Sequence, residues 1–159
     1  MKKHTRAFKK AWTIALTVIM TASIIVTDCP VVNYPMTFLD VPDNQWYTEA
    51  VRWAASNGIV NGYDANSFGS AEKITREQIV TILYRYAQFR DADVSSCETD
   101  NLHKYTDEKE ISAWAVKAFC WAVDAGIIQG VNEKELSPKS DAARAQAAVM
   151  LMRCDTLIH

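Results

Sequence analysis

The sequence predicts an all-α protein built from one helix–loop–helix unit written twice in tandem, and three observations predict it. Displacing the chain by 68 residues sets Trp46 on Trp114, Ala50 on Ala118, Trp53-Ala54 on Trp121-Ala122, Gly58-Ile59 on Gly126-Ile127 and Gly62 on Gly130. The same displacement sets Arg76 on Arg144, Gln78 on Gln146, Leu83 on Leu151 and Arg85 on Arg153. Apolar residues within each copy recur at helical spacing. Glycine and proline are sparse, at 5 and 4, which favours helices joined by short loops over a turn-rich sandwich or barrel. A hydrophobic share of 49% and a charged share of 23% exclude a disordered chain. Repeats of this length are stacked supersecondary units, each unable to bury its apolar face alone.

Taken from the N-terminus, the first element is a targeting segment over 1–28. Lys2, Lys3, Arg6, Lys9 and Lys10 form a positive start, and an uncharged, mostly apolar run follows from Ala11 to Val26. The run falls short of the roughly 20 residues of a comfortable membrane span and suits a secretory signal peptide. Thr21-Ala22-Ser23 is a weak cleavage site, and Asp28 before Cys29 is wrong for lipoprotein processing, so the segment is either removed or retained as an N-terminal anchor. Either way the remainder is expected outside the cytoplasm. The whole chain carries a net charge of −2, and without the five leading cations it is more acidic still. It has no electrostatic footprint for nucleic acid and gains no long-range attraction to an anionic polymer. Recognition of a negative ligand therefore requires a few well-placed cations.

Repeat one spans 37–90. Asp43 or Asn44 can cap a helix from about Trp46 to Asn57, with Trp46, Ala50, Trp53 and Ala54 on its apolar stripe. Gly58 stands where a left-handed residue ends a helix. The loop from Gly62 to Phe68 is rich in turn formers. A second helix begins at Thr75, with Ile79, Ile82, Leu83 and Tyr86 on one face. Thr75 and Gln78 form a capping box. The stretch 91–104 is polar and reads as a linker.

Repeat two spans 105–156. Ser112 can cap a helix bearing Trp114, Ala118, Trp121 and Ala122, and Gly126 stops it. Its last helix sets Ala147, Met150, Leu151 and Cys154 on one face, with a cap displaced to Ser140 or Asp141 because Ala143 cannot serve. Such a displacement would shift Arg144. The cysteines follow no CxxC or zinc spacing. Cys154 is expected as a buried thiol, Cys120 nearer the surface, and a Cys97–Cys120 bridge is open to an exported chain. No histidine has a partner pattern for a metal or a catalytic triad.

The order of these residues resembles the S-layer homology family. That family's motif has an aromatic-x-Asp-Val opening, a Trp, a helix ending in Gly-Ile-x-x-Gly, a loop Phe, and a Thr-Arg-Ala-Glu stretch opening the second helix. Repeat one reads Phe38-Leu39-Asp40-Val41, Trp46-Tyr47, Gly58-Ile59-Val60-Asn61-Gly62, Phe68 and Ile74-Thr75-Arg76-Glu77-Gln78. Repeat two reads Tyr105-Thr106-Asp107, Trp114-Ala115, Gly126-Ile127-Ile128-Gln129-Gly130 and Ala143-Arg144-Ala145-Gln146. The resemblance implies a helical spindle of three such units, of which two would form an incomplete pseudo-threefold helical bundle. It implies grooves that bind secondary cell-wall polysaccharide, pyruvylated or otherwise anionic, or a peptidoglycan-linked glycan, and it implies no cofactor. Its binding positions carry over to Arg76, Asp40, Trp46 and Gly62, and to Arg144, Asp107, Trp114 and Gly130.

These residue types suit that ligand. A guanidinium grips a carboxylate with two parallel hydrogen bonds that lysine cannot reproduce. Glycine admits a close approach to backbone, and indole offers a flat apolar face. Each position also has a plainer reading. Arg76 can be a solvated or paired arginine, Trp46 and Trp114 core or helix staples, Asp40 and Asp107 loop anchors, and Gly62 and Gly130 turn residues. Trp53 and Trp121 are expected in the core. The function expected first is non-catalytic attachment to the cell wall. The alternative is a protein-interaction or structural module completed by a second copy or a partner chain of the same family. An enzyme is not expected, because no nucleophile motif, phosphate loop or paired carboxylates stand out.

Overall fold

The computed structural model describes residues 34–95, 97 and 99–158. The targeting segment expected over 1–28, with Cys29, lies outside the described residues. From Tyr34 onward the chain forms one compact unit. It contains α1 (Thr48–Ser56), α2 (Arg76–Phe89), short 3-10 turns at Thr99–Leu102 and Glu108–Glu110, α3 (Val116–Asp124) and α4 (Arg144–Ile158). Among the described residues there is no strand, only isolated antiparallel bridges at Thr75–Asp141 and Asn132–Glu135. The fold is all-α, as the repeat predicts. No described helix is long and apolar enough to cross a membrane.

The ends of α1 and α3 differ from expectation at their starts and agree at their stops. Neither Asp43, Asn44 nor Ser112 caps a helix. Asp43 pairs with Arg52 at 3.4 Å, and Asn44 takes a left-handed turn at φ 70. The loop entering α1 is held instead by Thr48, whose hydroxyl accepts from the Gln45 N–H at 3.0 Å and donates to the Pro42 carbonyl at 2.7 Å. That loop leaves Trp46 outside the helix and 92% exposed, so it is neither core nor staple, and Trp114 is 55% exposed. At the far end of α1, Gly58 adopts φ 68. Its N–H donates to Ala55 at 3.0 Å and that of Ile59 to Ala54 at 2.9 Å. This is the Schellman arrangement, and it drives Ile59, 3% exposed, into the interior. Gly126 and Ile127 repeat the stop after α3, with φ 70 and a fully buried isoleucine.

The core lies between α2 and repeat two, and α2 is the shared element. Its Thr75 capping box is present, with the Thr75 hydroxyl accepting from the Gln78 N–H and the Gln78 amide oxygen accepting from the Thr75 N–H. The buried stripe is broader than periodicity predicted. Val80 and Ala87 join the expected Ile79 and Leu83 in the cluster that also holds Phe119, Trp121, Ile127 and Leu136, whereas Ile82 and Tyr86 are only partly buried. An amphipathic pattern identifies one buried face, but α2 packs on two neighbours. On α4, Met150 and Cys154 are buried as expected, whereas Leu151 is 54% exposed because nothing described packs over it. Trp121 is buried, while Trp53 is partly covered, edge-on to Phe89 at 5.5 Å.

The repeats are joined at the first turn of α2. The Arg76 and Glu77 N–H groups, which no helical carbonyl can satisfy, donate to the Ser140 and Pro138 carbonyls at 2.9 and 3.0 Å. The Arg76 side chain is 2% exposed, and its Nε–H donates to the Leu136 carbonyl at 2.7 Å. Burial pushes its pKa down, and the Asp107 carboxylate opposes that. Glu77 is 5% exposed. Its carboxylate accepts from the Ser112 N–H and hydroxyl at 3.2 and 3.3 Å and from Lys139 at 2.8 Å. The expectation that Ser140 or Asp141 caps α4 a turn early is thereby corrected. Ser140 is engaged with α2, and α4 opens at Arg144, in register with Arg76, keeping half a box through the Ala143 N–H to Gln146 bond at 3.0 Å.

The 91–104 stretch, expected as a linker, folds back onto the unit. Leu102 is buried and Cys97 is bonded to Cys120, with Cα atoms 5.3 Å apart. That wrapping corrects the expectation for Cys120, which is 0% exposed. Cys154 is the buried free thiol expected, and burial first, then the Asp155 charge, raises its pKa.

Two stability measurements test this architecture. Arg76→Ala should cost roughly 3 kcal/mol of unfolding free energy in urea, the cost of breaking a buried charged contact. Arg144→Ala, at an exposed site, should change it by less than about 0.5 kcal/mol. Equal effects would contradict the junction. The bridge closes a loop of 23 residues, so reduction should remove about 3 kcal/mol, and the Cys97→Ala, Cys120→Ala double variant should lose all sensitivity to reductant.

Candidate functional site

A groove of about 510 Å³ opens where the loop after α1, the outer side of α2 and one tryptophan of repeat two converge. Its walls are residues 60–63 and 68–70, the α2 residues Gln78, Ile82 and Arg85, and Trp114 across the gap. Both repeats therefore build it.

Asp40 gathers the loop wall from behind. Its carboxylate accepts from three successive backbone N–H groups, Phe68 at 2.7 Å, Gly69 at 2.6 Å and Ser70 at 3.1 Å. The Ser70 hydroxyl donates to the Asp40 carbonyl at 2.6 Å. Asp64 ties the tip, accepting from the Asn66 and Ser67 N–H groups at 2.8 and 2.9 Å. Gly62 is required by this folding. A β-carbon there would collide with the Ser67 carbonyl and the Phe38 ring. Tyr63 lies over Gly69, and its hydroxyl accepts from the Gln78 amide at 3.1 Å. Gln78 thus caps α2 and braces the wall.

The eight residues singled out from sequence are not gathered at one place. Gly62 and Trp114, one from each repeat, line the groove. Asp40 stands behind the lining loop. Asp107 does the same work in repeat two, accepting from the Leu136 and Ser137 N–H groups at 3.0 and 2.7 Å. The loop-anchor reading describes the contacts of both. Gly130, at φ 84, sits in a turn where a β-carbon would strike the Asn132 and Glu135 carbonyls. Trp46 projects outward beside Tyr47. Arg76 is enclosed at the repeat junction rather than solvated, and Arg144 is exposed at the start of α4.

The groove's cations are two that sequence reasoning did not assign. Lys73 is engaged with Asp141 at 3.1 Å. Arg85 faces the groove with no hydrogen bond or ion pair recorded among the described residues. A signal for Arg85 was present, since it matches Arg153 in the repeat. Arg153 is folded back, donating to the Ile127 carbonyl and the Gln129 side chain, both at 3.3 Å. Chemically, Arg85 offers a forked donor to a carboxylate. Trp114 and Tyr63 offer flat apolar faces with polar edges.

Asp40 supplies a pH test of the loop. The Phe68 N–H does most to hold its carboxyl below the ordinary value. Partial desolvation opposes this, and the Ser70 and Gly69 N–H groups add to it. A lowered folded pKa stabilises the protein above the unfolded carboxylate value of about 3.9, and that contribution is lost as pH falls through the folded pKa. Asp40→Asn should therefore melt below the parent chain at pH 7, and the gap should close as pH falls below about 4. A gap unchanged down to pH ~2 would contradict the assignment.

Comparison with known proteins agrees with this architecture. The family model described as S-layer homology domain matches residues 37–80 and again 104–148, together more than half of the chain. The exoglucanase XynX of Acetivibrio thermocellus is 32% identical over 74% of this chain and 11% of its own length. The surface-layer 125 kDa protein of Lysinibacillus sphaericus is 31% identical over 74% of this chain and 10% of its own. The cellulosome-anchoring protein of Acetivibrio thermocellus is 25% identical over 76% and 26%. The chain thus spans between 10% and 26% of the length of these proteins. With both repeats matched in order and built as the same unit, the chain belongs to the S-layer homology domain family.

Proposed function

We propose that this chain is a non-catalytic attachment module of the bacterial cell wall, binding secondary cell-wall polysaccharide in the groove between its repeats. The observation that carries the reading is the convergence of Arg85, Trp114 and the Asp40-held loop on one groove of saccharide size. Trp114 and Tyr63 supply faces on which a sugar ring packs, and Arg85 supplies the fork for an anionic substituent such as a pyruvate ketal. Lys73 adds positive charge, and Gly62 belongs to the groove wall. Arg76 serves binding indirectly, by holding together the two repeats that form the groove, and Asp40 and Asp107 serve it by shaping loops. Trp46 and Arg144, both exposed, offer secondary contacts along a polymer. The names of the relatives, among them surface-layer and cellulosome-anchoring proteins, support placement at the cell surface. Among the described residues the groove's lining includes a single carboxylate, that of Glu72, whereas glycoside hydrolysis ordinarily uses a pair. That supports binding without cleavage.

Retention on purified wall sacculi tests the proposal. Arg85→Ala should weaken retention by about tenfold or more, the loss of a charge-assisted hydrogen bond. Arg85→Lys should recover only part, and Trp114→Ala should add a further loss. Stripping the secondary polymer should abolish retention. Undiminished retention of a folded Arg85→Ala, Trp114→Ala variant would overturn the reading.

A further inference from the structure

We propose that copies of this chain associate head to tail, the α4 face of one docking on the repeat-one face of the next in the way that α2 docks on repeat two within a chain. The proposal rests on the internal repeat rather than on glycan binding, although its repeat-one face shares Phe68, Ser70 and Glu72 with the groove. At the junction inside the chain, α2 buries Arg76, Glu77, Val80 and Leu83, at 2%, 5%, 0% and 3% exposure. The α4 positions equivalent to these are Arg144, Ala145, Ala148 and Leu151, and all four are exposed. Met152, equivalent to Tyr84, is 61% exposed. The stripe that one repeat uses to bind its neighbour is therefore present on the other repeat with nothing described covering it. An apolar stripe of this kind marks an interaction surface.

The occupant is indicated by what changes in step on the two sides. Inside the chain, buried Glu77 is neutralised by Lys139 at 2.8 Å. On α4 the position of Glu77 is Ala145, and in repeat one the position of Lys139 is Ala71. Both members of the ion pair are absent together, so closing this second junction would leave neither charge of that pair buried without its partner. The arginine contact is retained on both sides. Arg144 repeats Arg76, and Phe68 and Asp40 repeat Leu136 and Asp107. Asp40 accepts from the Phe68 N–H at 2.7 Å, as Asp107 accepts from the Leu136 N–H at 3.0 Å, so the two loops are held in the same manner. Backbone groups match as well. The Arg76 and Glu77 N–H groups find the Ser140 and Pro138 carbonyls, and Glu72 and Ser70 stand at the equivalent positions of repeat one. A second copy's repeat one thus offers α4, at the equivalent positions, the backbone and side-chain groups that repeat two offers α2, without the Glu77–Lys139 pair. The contact is heterologous, between two different surfaces, and so can extend beyond a dimer.

Sedimentation velocity of the full chain over a range of concentrations tests this. The parent chain should associate as concentration rises. Ala145→Glu alone and Ala71→Lys alone should each weaken association by about tenfold or more, since each places one unpaired charge in the contact. The double variant recreates the Glu77–Lys139 pair between chains and should restore association. Both positions are exposed in the single chain, so circular dichroism should confirm unchanged folding. A chain that stays monomeric at every concentration would overturn the proposal, including the case in which a different protein covers α4. Association insensitive to Ala71→Lys would also overturn it, because that outcome signifies α4 pairing with α4. So would two single effects that simply add in the double variant.

Discussion

Everything else in this structure depends on how the first turn of α2 is satisfied. A helix N-terminus leaves N–H groups without partners, and in repeat one those of Arg76 and Glu77 are answered by carbonyls of repeat two. The two side chains at the same turn are charged and enclosed. Each is tolerable only because repeat two supplies its partner, the Leu136 carbonyl for Arg76 and Lys139 with Ser112 for Glu77. Removing either charge from water without these partners would cost several kcal/mol, on the order of the cost of a broken buried pair. The repeats are thereby locked in one register, and the apolar cluster around Phe119 and Trp121 closes against α2 in that register.

The same logic produces the groove. Asp40 and Asp107 each collect successive N–H groups of a loop roughly 30 residues downstream. Asp107 thereby holds the loop that seats Arg76, while Asp40 holds the loop that walls the groove. One device, written twice, does structural work at a closed junction and leaves a shaped surface at an open one. The difference between the two is supplied by neighbours rather than by the loop itself. Trp114 completes the groove because repeat two abuts repeat one.

Much of the local structure was legible in the sequence. The Thr75–Gln78 capping box, the left-handed glycines after α1 and α3, the all-α class and the buried Cys154 and Trp121 follow from interactions within a few residues or from side-chain size, and the structure contains them. The site was legible in part. Gly62 and Trp114 do reach the groove, but the grouping by repeat placed them in separate sets, whereas packing joins one from each. Arg85 carried a repeat signal without a motif, so nothing local distinguished it from a solvated helix arginine.

What the sequence determined by itself was the unit: where α1 and α3 stop and α2 starts, which loops turn, and that the unit occurs twice. These are properties of short-range hydrogen bonding, φ preference and periodic apolar spacing, and they survive wherever the unit is placed. What only the tertiary structure decided was which equivalent surface is covered. Arg76 and Arg144, or Leu83 and Leu151, are the same residues at the same repeat position, yet one of each pair is buried and the other exposed. Burial belongs to the contact between repeats, and a chain of two repeats makes that contact once within itself.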